Sequence, residues 1–197
     1  MDDEEARIRL LDAAERLFYR RGIQAVGMDD LRAAAGVSLK RLYQCFGSKQ
    51  ELVEAYLRRR DGRWRAALFD YVDGHSEAPE ERPLAVFDWL YSWCADPDFR
   101  GCAFINSFGE LGAVSDGVTQ AARDHKQAVH DGVLRLTREL PVTDPVALAT
   151  QLLLLIDGAI TTAAISGDPE AARHARRAAE VLLAAASAPS AVSGSQS

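Results

Sequence analysis

Residues 31–49 read LRAAAGVSLKRLYQCFGSK, and three helix boundaries fall inside this stretch. Gly36 follows a short helical run, where a residue in the left-handed conformation ends a helix, and Ser38 is a good N-cap two residues later. Gly47 closes the second short helix, and Ser48 with Glu51 forms a capping box that starts a third. The reading is helix, tight turn, helix. At about 100° per residue, Leu42, Cys45 and Phe46 share one side of the helix from Leu39 to Phe46, which marks that side as packed. Lys40 and Gln44 point the opposite way, flanked by Arg41 and Tyr43. Two cations, an amide and a phenol on one exposed face are groups that bond phosphates and base edges, as a recognition helix does.

Working outward, the run from Arg9 to Leu57, RLLDAAERLFYRRGIQAVGMDDLRAAAGVSLKRLYQCFGSKQELVEAYL, resembles the N-terminal DNA-binding domain of TetR-type transcriptional regulators. Gly22, Ala35, Gly36, Val37, Ser38, Leu42, Tyr43, Phe46, Ser48, Lys49 and Leu52 stand where that pattern has them. The combined spacing is far more specific than a lone helix-turn-helix. Gly27 departs from the Ser or Thr that usually caps the second helix, Lys40 replaces a small residue, and Gln44 and Cys45 replace a second aromatic or His. The expected DNA contacts are Leu39, Lys40, Arg41, Tyr43, Gln44, Ser48 and Lys49. The resemblance implies that Tyr43 and Lys49 touch the phosphate backbone, whereas Lys40, Arg41 and Gln44 are placed to read bases of double-stranded operator DNA.

The charge distribution agrees. The chain of 197 residues carries a net charge of −6, which by itself argues against nucleic acid. Yet residues 16–65 hold 12 Lys/Arg against 5 Asp/Glu, while both flanks are acidic. A basic segment attached to an acidic remainder is the footprint of a chain that touches nucleic acid at one end. The basic run Arg58, Arg59, Arg60, Arg63 and Arg65 begins two turns past the capping box and is expected to be a solvated or inter-domain face. Cys45, Cys94 and Cys102 are odd in number and lack metal spacing, so free thiols in a reducing cytoplasm are expected. The start MDDEEARIR has no cationic or apolar leader region, and the aliphatic run Leu152 to Ile156 stops at Asp157, so neither a signal peptide nor a membrane span is expected.

Helical periods run throughout, and no window alternates with period two, so an all-α fold of about nine helices is expected. Helix one, from Glu4 to Arg21, repeats apolar residues at Ile8, Leu11, Ala14, Leu17 and Phe18. Later helices are expected from Met28 to Ala35, Ser48 to about Val72, Leu84 to Ala95, Cys102 to Gly112, Asp116 to Leu140, Pro145 to Ile165 and Pro169 to Ala186. The division is a helix-turn-helix domain over 1–47, a helical effector-binding and dimerisation domain over 48–187, and a disordered tail over 188–197. The helix from Val146 to Ile165 is apolar on more than one stripe, so a single chain would struggle to cover it. The resemblance implies that the last two helices form a homodimer interface, with Leu153, Ile156, Ile160, Ala163, Ala164 and Leu182 as expected contacts.

Most aromatics lie between residues 64 and 108. The resemblance implies a small-molecule cavity among the central helices, with Trp64, Leu68, Phe87, Tyr91, Phe104, Asn106, Phe108 and Glu110 as expected lining. Catalysis finds no footing. His125 and His130 are five apart, on different faces of a helix, and there is no nucleophile elbow, CxxC or phosphate loop. No metal or cofactor is expected. A ligand-responsive repressor is the leading reading, with a cysteine-based redox sensor on the same scaffold as the alternative and a helical enzyme behind both.

Overall fold

A computed structural model describes residues 2–75 and 77–187, so the tail expected over 188–197 lies outside the described residues. Every regular element among them is an α-helix: α1 (Asp3–Arg21), α2 (Met28–Ala35), α3 (Leu39–Cys45), α4 (Lys49–His75), α5 (Arg82–Cys94), α6 (Ala103–Leu111), α7 (Asp116–Arg138), α8 (Pro145–Ser166) and α9 (Glu170–Ser187). The chain divides into two compact units. One comprises Met1–Leu68 and Asp96–Ala128, the other Phe69–Ala95 and Val129–Ser197. This division differs from the cut expected at residue 47. The first three helices share their core with α4, because Val53, Tyr56 and Leu57 are buried and Tyr56 sits edge-on to Phe18 of α1.

In the first unit, Asp2 caps α1 by accepting a bond from the Glu5 amide at 2.7 Å, and Gly22 ends it at φ 82°. The buried face of α1 is Ala6, Leu10, Leu11, Ala13, Ala14 and Phe18. Ile8, expected inside, is 47% exposed, since the stripe turns toward small residues that let α2 and α3 approach closely. Gly36 takes φ 67°, and the amides of Gly36 and Val37 reach back to the Ala33 and Arg32 carbonyls, closing the turn of the helix-turn-helix. Leu31, Leu42, Phe46 and Leu52 are fully buried beneath it.

In the second unit, Asp144 caps α8 through the Val146 and Ala147 amides, and Gly167 ends it in the left-handed conformation. Leu148, Leu152, Ile156, Ala159, Ile160 and Ala163 of α8 are buried. They meet α9, whose Ala172, Ala175 and Ala179 are small enough to admit a close helix pair, and α5. Arg176 of α9 forms an ion pair with Asp88 of α5 at 3.0 Å, and Arg173 lies over the Tyr91 ring at 3.8 Å. By length and mean hydropathy α8 matches a membrane span, which the sequence reading did not expect. Its inward face is packed against α5 and α9 as in the core helix of a bundle.

Candidate nucleic-acid interface and effector cavity

Ser38 accepts a bond from the Arg41 amide at 3.2 Å and so starts α3. Ser48 accepts from the Glu51 amide, and the Glu51 carboxylate accepts from the Gly47 amide at 2.8 Å, which starts α4. Between these two caps α3 is held with Leu42 inward, while Leu39, Lys40, Tyr43 and Gln44 are exposed. The expected exposed face is therefore formed. Arg7 fixes the end of α3 from behind, bonding the Cys45 carbonyl at 2.9 Å with its guanidinium over the Phe46 ring.

Two cations of the expected set are engaged within the chain. Arg41 pairs with Asp3 at 2.6 Å. Lys49 donates to the Ile23 carbonyl at 2.6 Å, and burial lowers its pKa against the raising pull of Glu110. Lys49 thus ties the start of α4 to the turn after α1. The basic run is engaged within the chain as well: Arg59, Arg60 and Arg63 converge on Glu15 of α1, Arg59 also pairs with Asp12, Arg58 pairs with Glu54 and Arg65 with Asp61.

The residues expected to line one cavity are dispersed. Leu68 and Phe87 are fully buried core, and Phe108 is 51% exposed. Phe87 and Tyr91 belong to the second unit, and Tyr91 lies under Arg173. Asn106 donates to the Arg100 carbonyl at 2.9 Å, and the Glu110 carboxylate accepts the Ile23 and Gln24 amides at 3.1 and 2.9 Å. Both border a recess of about 310 Å³ beside Tyr19 and Tyr56, but their polar groups are spent on the backbone.

The larger cavity, about 340 Å³, lies in the first unit between α4, α6 and α7. Of the expected residues only Phe104 lines it. The rest of its wall comes from Leu57, Arg58 and Asp61 of α4 and from Gly117, Gln120, Ala121, Asp124 and His125 of α7. His125, 3% exposed, places Nδ1 2.8 Å from Asp61 Oδ1; Phe104 stacks on its ring at 3.7 Å and Trp64 meets it edge-on at 5.4 Å. Burial lowers the imidazole to about 4, against the raising pull of Asp61. The sequence carried part of this signal: Gly117, Gln120, Ala121, Asp124 and His125 recur at helical spacing on one face of α7. Their partner Asp61 lies 64 residues away, beyond any local pattern.

A helix-turn-helix showing cations, an amide and a phenol, followed by a long helix that walls a cavity, defines the class of helical DNA-binding regulators. Residues 10–56 match the model of bacterial regulatory proteins of the tetR family, and residues 79–179 match the tetracyclin repressor-like C-terminal domain. The crystal structure of SCO4454, a TetR-family transcriptional regulator from Streptomyces coelicolor, is 34% identical, with a TM-score of 0.86 over 94% of this chain and 97% of that one. A putative tetr-transcriptional regulator (sav143) from Streptomyces avermitilis is 35% identical, with a TM-score of 0.81 over 92% and 97%. An uncharacterized HTH-type transcriptional regulator of Mycobacterium tuberculosis is 45% identical over 60 residues, a stretch that covers 30% of this chain and 30% of that protein. The chain belongs to the TetR family: it is a DNA-binding transcriptional regulator, of a family whose members are not normally enzymes.

Proposed function

We propose that the protein is a cytoplasmic, ligand-responsive repressor that binds a near-palindromic operator as a homodimer, with residues 1–47 carrying DNA recognition and 48–187 the effector and dimer functions. The observation that carries the ligand-responsive part is α4. Its Leu57, Arg58 and Asp61 wall the larger cavity, and its first residue, Lys49, holds the turn that leads into α2. A small molecule seated in the cavity acts on the same rod that seats the recognition helix. The dimer rests on α8. Ala147, Thr150, Leu154, Gly158, Thr161 and Ile165 lie within about 40° of one line along the helix and are all exposed, an uncharged stripe over its whole length.

Three of the expected dimer contacts move elsewhere. Ile156, Ile160 and Ala163 are 1, 2 and 2% exposed, inside the fold of their own chain, and so cannot face a second copy. Leu153 and Leu182 are half-buried, and Ala164 is exposed beside the stripe. The redox alternative gains nothing from Cys94, whose thiol burial pushes up to about 11, away from the reactive thiolate.

Two measurements test the proposal. Selection of bound duplexes from a random pool should return inverted half-sites, as a two-fold dimer requires; direct repeats or single half-sites would refute the dimeric operator. Titration of an effector with and without saturating operator should give affinities that differ by roughly 5 to 150-fold, the reciprocal of its effect on DNA binding. Equal affinities would show a cavity without regulation.

A further inference from the structure

The polar groups around the larger cavity are satisfied unevenly. Arg58 is occupied by Glu54 at 2.8 Å, and Asp61 is held twice by Arg65, at 2.8 and 2.6 Å, besides its bond to His125. A carboxylate so held is ionised and can only accept, so His125 Nδ1 carries the proton and Nε2 presents its lone pair. No group among the described residues bonds Nε2. Asp124, next to His125 on α7, receives one bond, from Gln120 at 2.7 Å, and no cation among the described residues lies within salt-bridge distance. The wall therefore offers a deep neutral acceptor, a carboxylate nearer the surface, and apolar surface from Leu57, Phe104 and Ala121. Arg58, 70% exposed, spends one of its N–H groups on Glu54, whose carboxylate also opposes its charge, and Asp61 only accepts.

Resting on the ligand-responsive reading above, we propose that this cavity takes a protonated primary or secondary amine on an apolar, aromatic-sized body, its N–H donated to His125 Nε2 and its charge set against Asp124. The apolar body lies along Leu57, Phe104 and Ala121. An anion finds the Asp124 carboxylate and the accepting Nε2 opposed to it, while Arg58, the cation on the wall, is paired with Glu54. The fixed tautomer is what makes His125 selective: Asp61 and Arg65 hold the ring so that its open nitrogen accepts, and burial keeps that nitrogen unprotonated at neutral pH.

The test uses the full chain and four probes with a common phenylalkyl body: 4-phenylbutylamine, its N,N,N-trimethyl derivative, 4-phenylbutan-1-ol and 4-phenylbutanoate, with affinities from calorimetry. The amine should bind at least tenfold tighter than the alcohol or the carboxylate. Asp124→Asn, an exposed conservative change that leaves the fold intact, should weaken the amine and the trimethyl derivative at least fivefold and leave the alcohol unchanged. His125→Phe should weaken the amine and the alcohol but not the trimethyl derivative, which has charge without a donor. A carboxylate that binds as well as the amine, an Asp124→Asn variant with unaltered amine affinity, or no binding by any probe would overturn the assignment. If the carboxylate binds and releases operator, the regulatory reading stands and the amine class falls. If the amine binds without changing operator affinity, the class stands and the regulatory reading falls.

Discussion

Gln44 and His125 occupy opposite situations, one exposed and one buried, and each can be separated from its neighbours by a single substitution. Gln44 stands on the exposed face of α3 with no structural bond to lose, so Gln44→Ala should keep the fold. It should relax preference at one position of each half-site by about 1 to 3 kcal/mol against the preferred base, read by competition between duplexes. Equal losses on specific and random DNA would remove its base-reading role. His125 instead links pH to stability. Its folded pKa, near 4, lies below the ordinary 6.5. Between those values the unfolded chain binds more protons, so stability is full above pH 6.5 and falls as pH drops toward 4, by about 3 kcal/mol for one such group. Burial raises Asp61 but the bonds from Arg65 and His125 more than offset it, so its carboxyl sits below the ordinary value and adds loss in the same direction on acidification. Thermal melts from pH 7.5 to 4.5 should show that decline in the native chain and a flatter one in His125→Phe; parallel curves would contradict it.

At the scale of elements, α8 separates folding from association. Ile160 is 2% exposed and Leu154 69%, though six residues of one apolar helix separate them. Ile160→Glu places an unpaired charge in the core and should cost on the order of 3 to 5 kcal/mol of stability. Leu154→Glu should leave the melting of the monomer's helices unchanged and shift sedimentation from dimer to monomer. A Leu154→Glu dimer would move the interface off this stripe. Helix positions were legible in the sequence because Gly36, Gly47, Pro145 at the start of α8 and Pro169 before α9 act locally. Which side of α8 faces inward was not, because apolar residues occupy both sides and only the packing of α5 and α9 decides between them. Lys49 and the arginines of α4 show the same limit: composition marks them as cations, whereas carbonyls and carboxylates on α1, on the turn after it and on α4 itself decide where they point.

Across the whole molecule, the helical content and the helix-turn-helix followed from spacing, while the cavity did not, since its wall joins α4 to α7 through a pair of residues far apart in sequence. The acidic start of α1 has a different bearing. In the free protein Asp3 neutralises Arg41, with Asp3 itself 86% exposed, so on the proposed DNA-binding role of Arg41 the duplex displaces a counterion that is part of the chain rather than one from the buffer. Such a tethered competitor is present at constant effective concentration and penalises every duplex equally. Asp3→Asn should then tighten binding to random DNA and to the operator by similar factors and steepen the salt dependence by about one ion per subunit. An unchanged salt slope in that variant would show that Arg41 gains no phosphate contact when the carboxylate is removed, and that Asp3 is not an internal rival of the DNA for this cation.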